Sequence, residues 1–213
     1  LYMGGTIINR RSDTTKQTLA KTWEAGSYQD QLADVEVTFQ LERILKEHAT
    51  FDEDRGYWVA NGDTYGVTDP DTGDTLRYPY DFQYCDDVPY EAQYKTVTGW
   101  TSENLTQGVS ADVPRYDKDG KEWVYRWNEV AVTKAGDPMS YFIQNTDPDT
   151  GLKLMSGDFF IFSSIVDDQG ANVPLHFKGE YDKERGVLVN RYVDETTAQM
   201  QKWWWNENTK EYT

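Results

Sequence analysis

Val35-Glu36-Val37-Thr38-Phe39-Gln40-Leu41-Glu42 alternates apolar and polar residues without a break. Successive side chains of a strand point to opposite faces, so this stretch predicts a β-strand with one dry face and one wet face. Two further stretches read the same way. Trp123-Val124-Tyr125-Arg126-Trp127-Asn128-Glu129 places its aromatics on one face, and Gly186-Val187-Leu188-Val189-Asn190-Arg191-Tyr192 is β-branched and apolar. Asp158-Phe159-Phe160-Ile161-Phe162 is an apolar run expected to be buried on both faces. Between these lie turn signals: Asp117-Lys118-Asp119-Gly120, and Asp-Pro-Asp-Thr-Gly at 69–73 and again at 147–151. A single helical candidate, around Leu41 to His48, competes with a strand reading. Residues 46–95 are irregular, acidic and Tyr-rich and read as an insertion or long hairpin excursion; a loop of that length rarely lacks structure of its own, so extra strands are expected there.

Composition supports an all-β chain. Among 213 residues, 15 are Tyr and 8 are Trp, and aromatics make up 15%, which favours sheet over helix bundle. The formal net charge of −16 repels phosphate backbones and anionic lipid surfaces, so neither nucleic acid nor a membrane is an expected partner. Such acidity suits an extracellular, non-sticking module. With one cysteine, Cys85, no intrachain disulfide can form. No apolar run approaches the roughly 20 residues of a membrane span, and with no signal peptide or sorting motif in view the chain reads as a piece of a longer protein.

An internal repeat suggests how that protein is organised. Asn9-Arg10 precedes Lys21-Thr22-Trp23, and Asn190-Arg191 precedes Lys202-Trp203-Trp204; both Asn-to-Lys intervals are 12 residues. Asp13, Thr15 and Trp23 recur as Asp194, Thr196 and Trp204 at the same offsets. The spacing predicts a tandem array: residues 1–12 end one unit, 13–193 form the next with 46–95 inserted, and 194–213 begin a third or supply a C-terminal strand.

Leu19-Ala20-Lys21-Thr22-Trp23-Glu24, then Tyr28-Gln29-Asp30 and the strand from Val35, resembles the opening of a CnaB-type (collagen-adhesin B-like) domain of Gram-positive pilins and adhesins. So does Val113-Pro114-Arg115-Tyr116-Asp117-Lys118-Asp119-Gly120-Lys121-Glu122, followed by Tyr125-Arg126-Trp127-Asn128-Glu129. The likeness covers roughly 14–45, 94–132 and 186–192, while 46–93 and 133–185 depart from the family's compact pattern. It implies an Ig-like β-sandwich with a long inserted excursion, and an autocatalytic isopeptide bond. Lys21 matches the reactive lysine, Glu129 the catalytic acid and Asn190 the acceptor on the last strand. Asn145 is an alternative acceptor that would close a shorter domain. Asn9 and Lys202 would serve neighbouring repeats. The implied role is structural or adhesive, at a bacterial cell surface and wall-anchored in the full-length protein. No cofactor and no multiple-turnover catalysis are expected; the partners are a host or environmental surface ligand, protein or glycan, and neighbouring repeats.

The residues themselves agree on faces. Leu19, Lys21 and Trp23 share one side of a strand, as do Trp123, Tyr125, Trp127 and Glu129, and Leu188, Asn190 and Tyr192. Each polar member therefore sits on an apolar face, where it costs several kcal/mol unless compensated. Burial lowers a lysine pKa and raises a glutamate pKa. A neutral Lys21 amine is a nucleophile, and a protonated Glu129 is expected to hydrogen-bond the Asn190 amide oxygen and shuttle protons while ammonia leaves.

Other features carry alternatives. Trp203-Trp204-Trp205 cannot all face one way on a strand; they are either a sugar-stacking platform or a strand of the next unit packed on both sides. The first option belongs to a second functional reading, a carbohydrate-binding β-sandwich using exposed Trp and Tyr. Asp52-Glu53-Asp54 and the two Asp-Pro-Asp-Thr-Gly turns have the oxygen donors calcium prefers, but no later glutamate falls in EF-hand register, so hairpin turns without metal are expected. His48 and His176 stand apart, without ligand spacing. No pair of carboxylates marks a glycosidase, and the aspartates after Cys85 are expected to disfavour a thiolate there.

Overall fold

The computed structural model describes residues 13–137, 140–148, 150–193, 205–206 and 211–212, and the chain is predominantly β. In chain order the strands are β1 (Thr14–Glu24), β2 (Val35–Leu45), β3 (Ala49–Asp52), β4 (Tyr57–Ala60), β5 (Thr64–Thr68), β6 (Thr75–Pro79), β7 (Gln83–Tyr84), β8 (Tyr94–Val97), β9 (Thr106–Pro114), β10 (Trp123–Lys134), β11 (Tyr141–Thr146), β12 (Lys153–Val166), β13 (Asn172–Asp182), β14 (Val187–Tyr192), and the short pair β15 (Trp205–Asn206) and β16 (Glu211–Tyr212).

Six of these form one mixed sheet in the order β11-β12-β13-β14-β1-β9. All its neighbours are antiparallel except β1 and β14, which run parallel with Lys21 opposite Leu188 and Trp23 opposite Asn190. Within this sheet the first strand in chain order thus lies against the last. The second sheet places β10 beside β2, with β7 and β8 along the other edge of β2. Leu19, Trp23, Phe159, Phe177 and Leu188 from the first sheet share a single buried core with Val37, Phe39, Leu41 and Trp127 from the second.

β2 departs from its expected half-wet character. Its inner residues Val35, Val37, Phe39 and Leu41 are fully buried, and Glu36 is exposed, as the alternation predicts. Gln40 and Glu42 should have been wet and are instead buried, as is Ile44 beyond them. The excursion from 46 to 93 covers this end of the outer face, with Phe82, Trp58 and Tyr80 packing around Ile44 and Val124. The excursion forms two hairpins, β3–β4 and β5–β6, then returns through β7 and a one-turn helix (Tyr90–Gln93). The helical candidate near Leu41 resolves as strand to Leu45, with one 3-10 turn at Lys46–His48; a further 3-10 segment, Gly26–Leu32, carried no sequence signal. The run at 158–162 is buried on one face only: Phe159 and Ile161 are inside, whereas Phe160 stacks between Tyr141 and His176 on the outer side.

Both Asp-Pro-Asp-Thr-Gly segments are hairpin turns closed by their own first aspartate. Asp69 accepts the N–H groups of Asp71 and Thr72, and Asp147 accepts the N–H and hydroxyl of Thr150. Asp147 also pairs with Arg55, fastening the excursion to the β11–β12 turn.

Candidate functional site

Lys21 lies on an interior strand of the large sheet, flanked by β9 and β14. Its neighbours Leu19 and Trp23 face the core, and strand periodicity carries Lys21 in with them. Asn190 enters the same way from β14, between Leu188 and Tyr192. Glu129 arrives from the opposite sheet, where the β10–β2 register slips between Glu129 and Ala131. Such a bulge re-aims the local side chains. All three groups are sealed from solvent, with relative exposures of 1% for Lys21 and 0% for Glu129 and Asn190.

They converge on one atom. Glu129 Oε1 lies 3.1 Å from Lys21 Nζ and accepts a hydrogen bond from Asn190 Nδ2 at 3.0 Å. The amine is at ion-pair distance without hydrogen-bond alignment, and Asn190 Oδ1 has no donor among the described residues. Ser156 donates its hydroxyl to the other carboxylate oxygen, Oε2. Aromatic rings wall the site: Lys21 Nζ sits 5.3 Å from the centre of the Trp23 ring, which is met edge-on by Trp100, Phe159 and Phe177. This dry surround lowers the Lys21 pKa from 10.5 to about 8, the depression by burial being partly offset by the Glu129 charge and its contact.

The amide orientation differs from expectation. The sequence argument put the Asn190 oxygen against a protonated Glu129, whereas here the amide nitrogen faces it. Oε1 acts here as an acceptor, so it faces the N–H₂ end of the amide. In this orientation Oε1 touches both the nitrogen that would attack and the nitrogen that would leave.

Ser156 and the residue behind it were not legible in the sequence. Ser156 sits in Lys153-Leu154-Met155-Ser156-Gly157, a stretch without a strong period, and no spacing links it to residue 129. Gly179, opposite Asn190 on β13, makes room for it: a Cβ there would stand 1.8 Å from Ser156 Oγ and 2.9 Å from the Gly157 carbonyl oxygen. Gly179→Ala therefore displaces Ser156 from Glu129 and is expected to destabilise the chain by about 2 kcal/mol through overpacking. A guanidinium melt unchanged from the parent would show that this close approach relaxes freely.

Other candidates fall elsewhere. Asn145 lies on edge strand β11, with three strands between it and β1 in the sheet order, and donates to Asp158 Oδ1 at 3.1 Å rather than to Glu129. Asn9, Lys202, Trp203 and Trp204 lie outside the described residues, and of Trp205 only its strand pairing is described. His48 stacks on Tyr80, and His176 on Phe160. Cys85 is buried, with its thiol pushed up to about 12. The principal cause is desolvation rather than the aspartates, and Arg43 opposes it.

No family model, curated protein or solved structure matches the chain.

Proposed function

We propose that this chain is a CnaB-type, Ig-like β-sandwich module of a bacterial surface protein, tied by a Lys21–Asn190 isopeptide bond that its own residues form once. The observation that carries this reading is the meeting of a buried lysine, a buried asparagine and a buried carboxylate at a single oxygen. Few arrangements justify sealing three such groups in an aromatic core, because each costs free energy there unless matched.

The chemistry balances within the site. Lys21 passes a proton to Glu129 Oε1 and becomes a neutral amine. The amine attacks the Asn190 amide carbon, and as the new C–N bond forms it sheds a second proton; Glu129 relays both protons to the departing nitrogen. The C–N bond of the Asn190 amide breaks, the nitrogen leaves as ammonium, and a new amide joins β1 to β14. Folding holds the partners together, so proximity supplies much of the rate, and the Ser156 hydroxyl fixes the carboxylate. Glu129 ends as it began, but the lysine and asparagine are consumed, so there is no turnover. The tie joins the first and last strands of the unit, which suits a load-bearing stalk or adhesin whose neighbours would be further repeats and whose outer partner would be a surface ligand.

Intact-mass measurement tests the proposal. The folded chain should weigh about 17 Da less than its sequence, one ammonia, and digestion should yield a branched peptide joining Lys21 to Asn190. A full-mass folded chain would leave only a structural ion pair. The rate adds a second check. The reaction uses the one proton shared by Lys21 and Glu129, and that proton is lost as pH rises through about 8. Chain isolated unfolded and diluted into native buffer should condense at a constant rate from neutral pH to about 8, then slow roughly tenfold per pH unit above it. A rate that instead rises toward pH 8 and levels off would mean that only the free amine matters.

A further inference from the structure

A cleft of about 610 Å³ opens where the β5–β6 hairpin and β7 stand over the outer edge of β2 and β10, away from the Lys21 site. We infer that it binds a neutral oligosaccharide. This goes beyond the isopeptide reading and does not depend on it.

The hairpin gives the first reason. Every residue of β5 and β6 is exposed, including Tyr65, Val67, Leu76 and Tyr78, so this arm buries little for the fold. What it does present is a row of aromatic rings. Tyr78 and Tyr65 lie 5.8 Å apart between centroids, Tyr65 and Tyr80 5.0 Å, and Tyr80 and His48 3.6 Å in parallel stack. Tyr65, Tyr80 and His48 of this row line the cleft, together with Trp123 and Phe82. Aromatic faces of this kind accept the apolar C–H face of a sugar ring.

Charge gives the second. Three carboxylates (Glu42, Asp81, Asp86) and three cations (Arg43, Arg126, Lys153) line the cleft, a local balance on a chain of net −16. The two arginines are already engaged. Arg126 pairs with Glu42 at 3.1 Å and lies 4.0 Å from the centre of the Phe82 ring; Arg43 pairs with Asp87 at 2.7 Å and lies 4.3 Å from that of Trp123. An anionic ligand would have to compete with these partners. Hydroxyl groups instead bridge paired donors and acceptors without disturbing them. A proline-rich segment could use the aromatic row but has no backbone N–H at its prolines to answer the carboxylates. The cleft volume falls within the range of small-ligand sites.

The test is titration calorimetry of the whole chain with xylotriose, cellotriose, mannotriose and maltotriose, and with a ten-residue polyproline peptide. At least one trisaccharide should bind. Tyr65→Ala, on the exposed hairpin, should weaken that binding about tenfold, and Tyr141→Ala, an exposed aromatic on β11, should leave it unchanged. NMR titration of the unaltered chain should move the indole resonance of Trp123 and the guanidinium resonance of Arg126 while that of Trp23 stays still. The inference is overturned if no trisaccharide binds, if polyproline binds in their place, if Tyr65→Ala binds as the parent does, or if the shifts fall outside the cleft. Because the tie is read by mass, its failure leaves this result untouched, and the reverse.

Discussion

Glu129→Gln should leave the chain folded at full sequence mass, with Lys21 and Asn190 unjoined. Glutamine keeps the shape of the side chain, but it cannot take a proton from Lys21 or return one to the departing nitrogen. Loss of a positioned acid–base group slows such steps by about 10²–10⁴, so no more than about one chain in twenty should be tied when the parent reaction is complete. The same substitution removes the carboxylate that pairs with a lysine that is 1% exposed. Breaking a buried pair by removing one partner costs about 3–5 kcal/mol, and the Lys21 pKa should fall further below 8 as the amine sheds its charge. Intact mass reads the first effect and a guanidinium melt the second. Glu129→Ala should give the same mass with an added cavity. A complete mass deficit in either variant would remove Glu129 from the chemistry while leaving the fold description intact.

Asn190→Ala should show how much the tie contributes to stability. The proposed bond would close a loop from residue 21 to residue 190, a separation of 169 residues. Closing a loop of that length in the unfolded chain is worth about 5 kcal/mol by chain entropy. Removing the hydrogen bond to Glu129 adds about 1–3 kcal/mol. For a domain of this size, the loss from the tie alone corresponds to a fall in Tm of about 10–20 °C. Lys21→Met should untie the chain equally and also strand Glu129 in the core, so it should melt lower still. A Tm for Asn190→Ala within a few degrees of the parent would mean that no covalent bond joins the strands. The location matters as much as the magnitude. Because β1 and β14 are parallel neighbours, force applied near residues 14 and 192 would otherwise separate those two strands directly.

Much of the site could be read in the chain because strands have period two. Lys21 is two residues from both Leu19 and Trp23, Asn190 two from Leu188, and Glu129 two from Trp127, so burial of the apolar neighbour carries the polar residue inward. The Asp-rich turns were legible for a similar reason: an aspartate bonding the N–H groups two and three residues on is a local event.

What the sequence determined, then, is which side chains face the core, where the chain turns, and that the excursion at 46–95 builds strands of its own. The tertiary structure decided which buried groups meet. Ser156 reaches Glu129 across 27 residues of sequence, and Gly179 clears space for it from yet another strand. Gln40 and Glu42 are buried although their own strand marks them as wet, Gln40 bonding Tyr94 and Glu42 pairing with Arg126, and the excursion's hairpin builds the aromatic cleft beside Trp123. Periodicity is a property of neighbours along the chain and needs no knowledge of the rest of the molecule. Contact between sheets depends on register, bulges and coverage set by distant segments, and those exist only once the whole chain has folded.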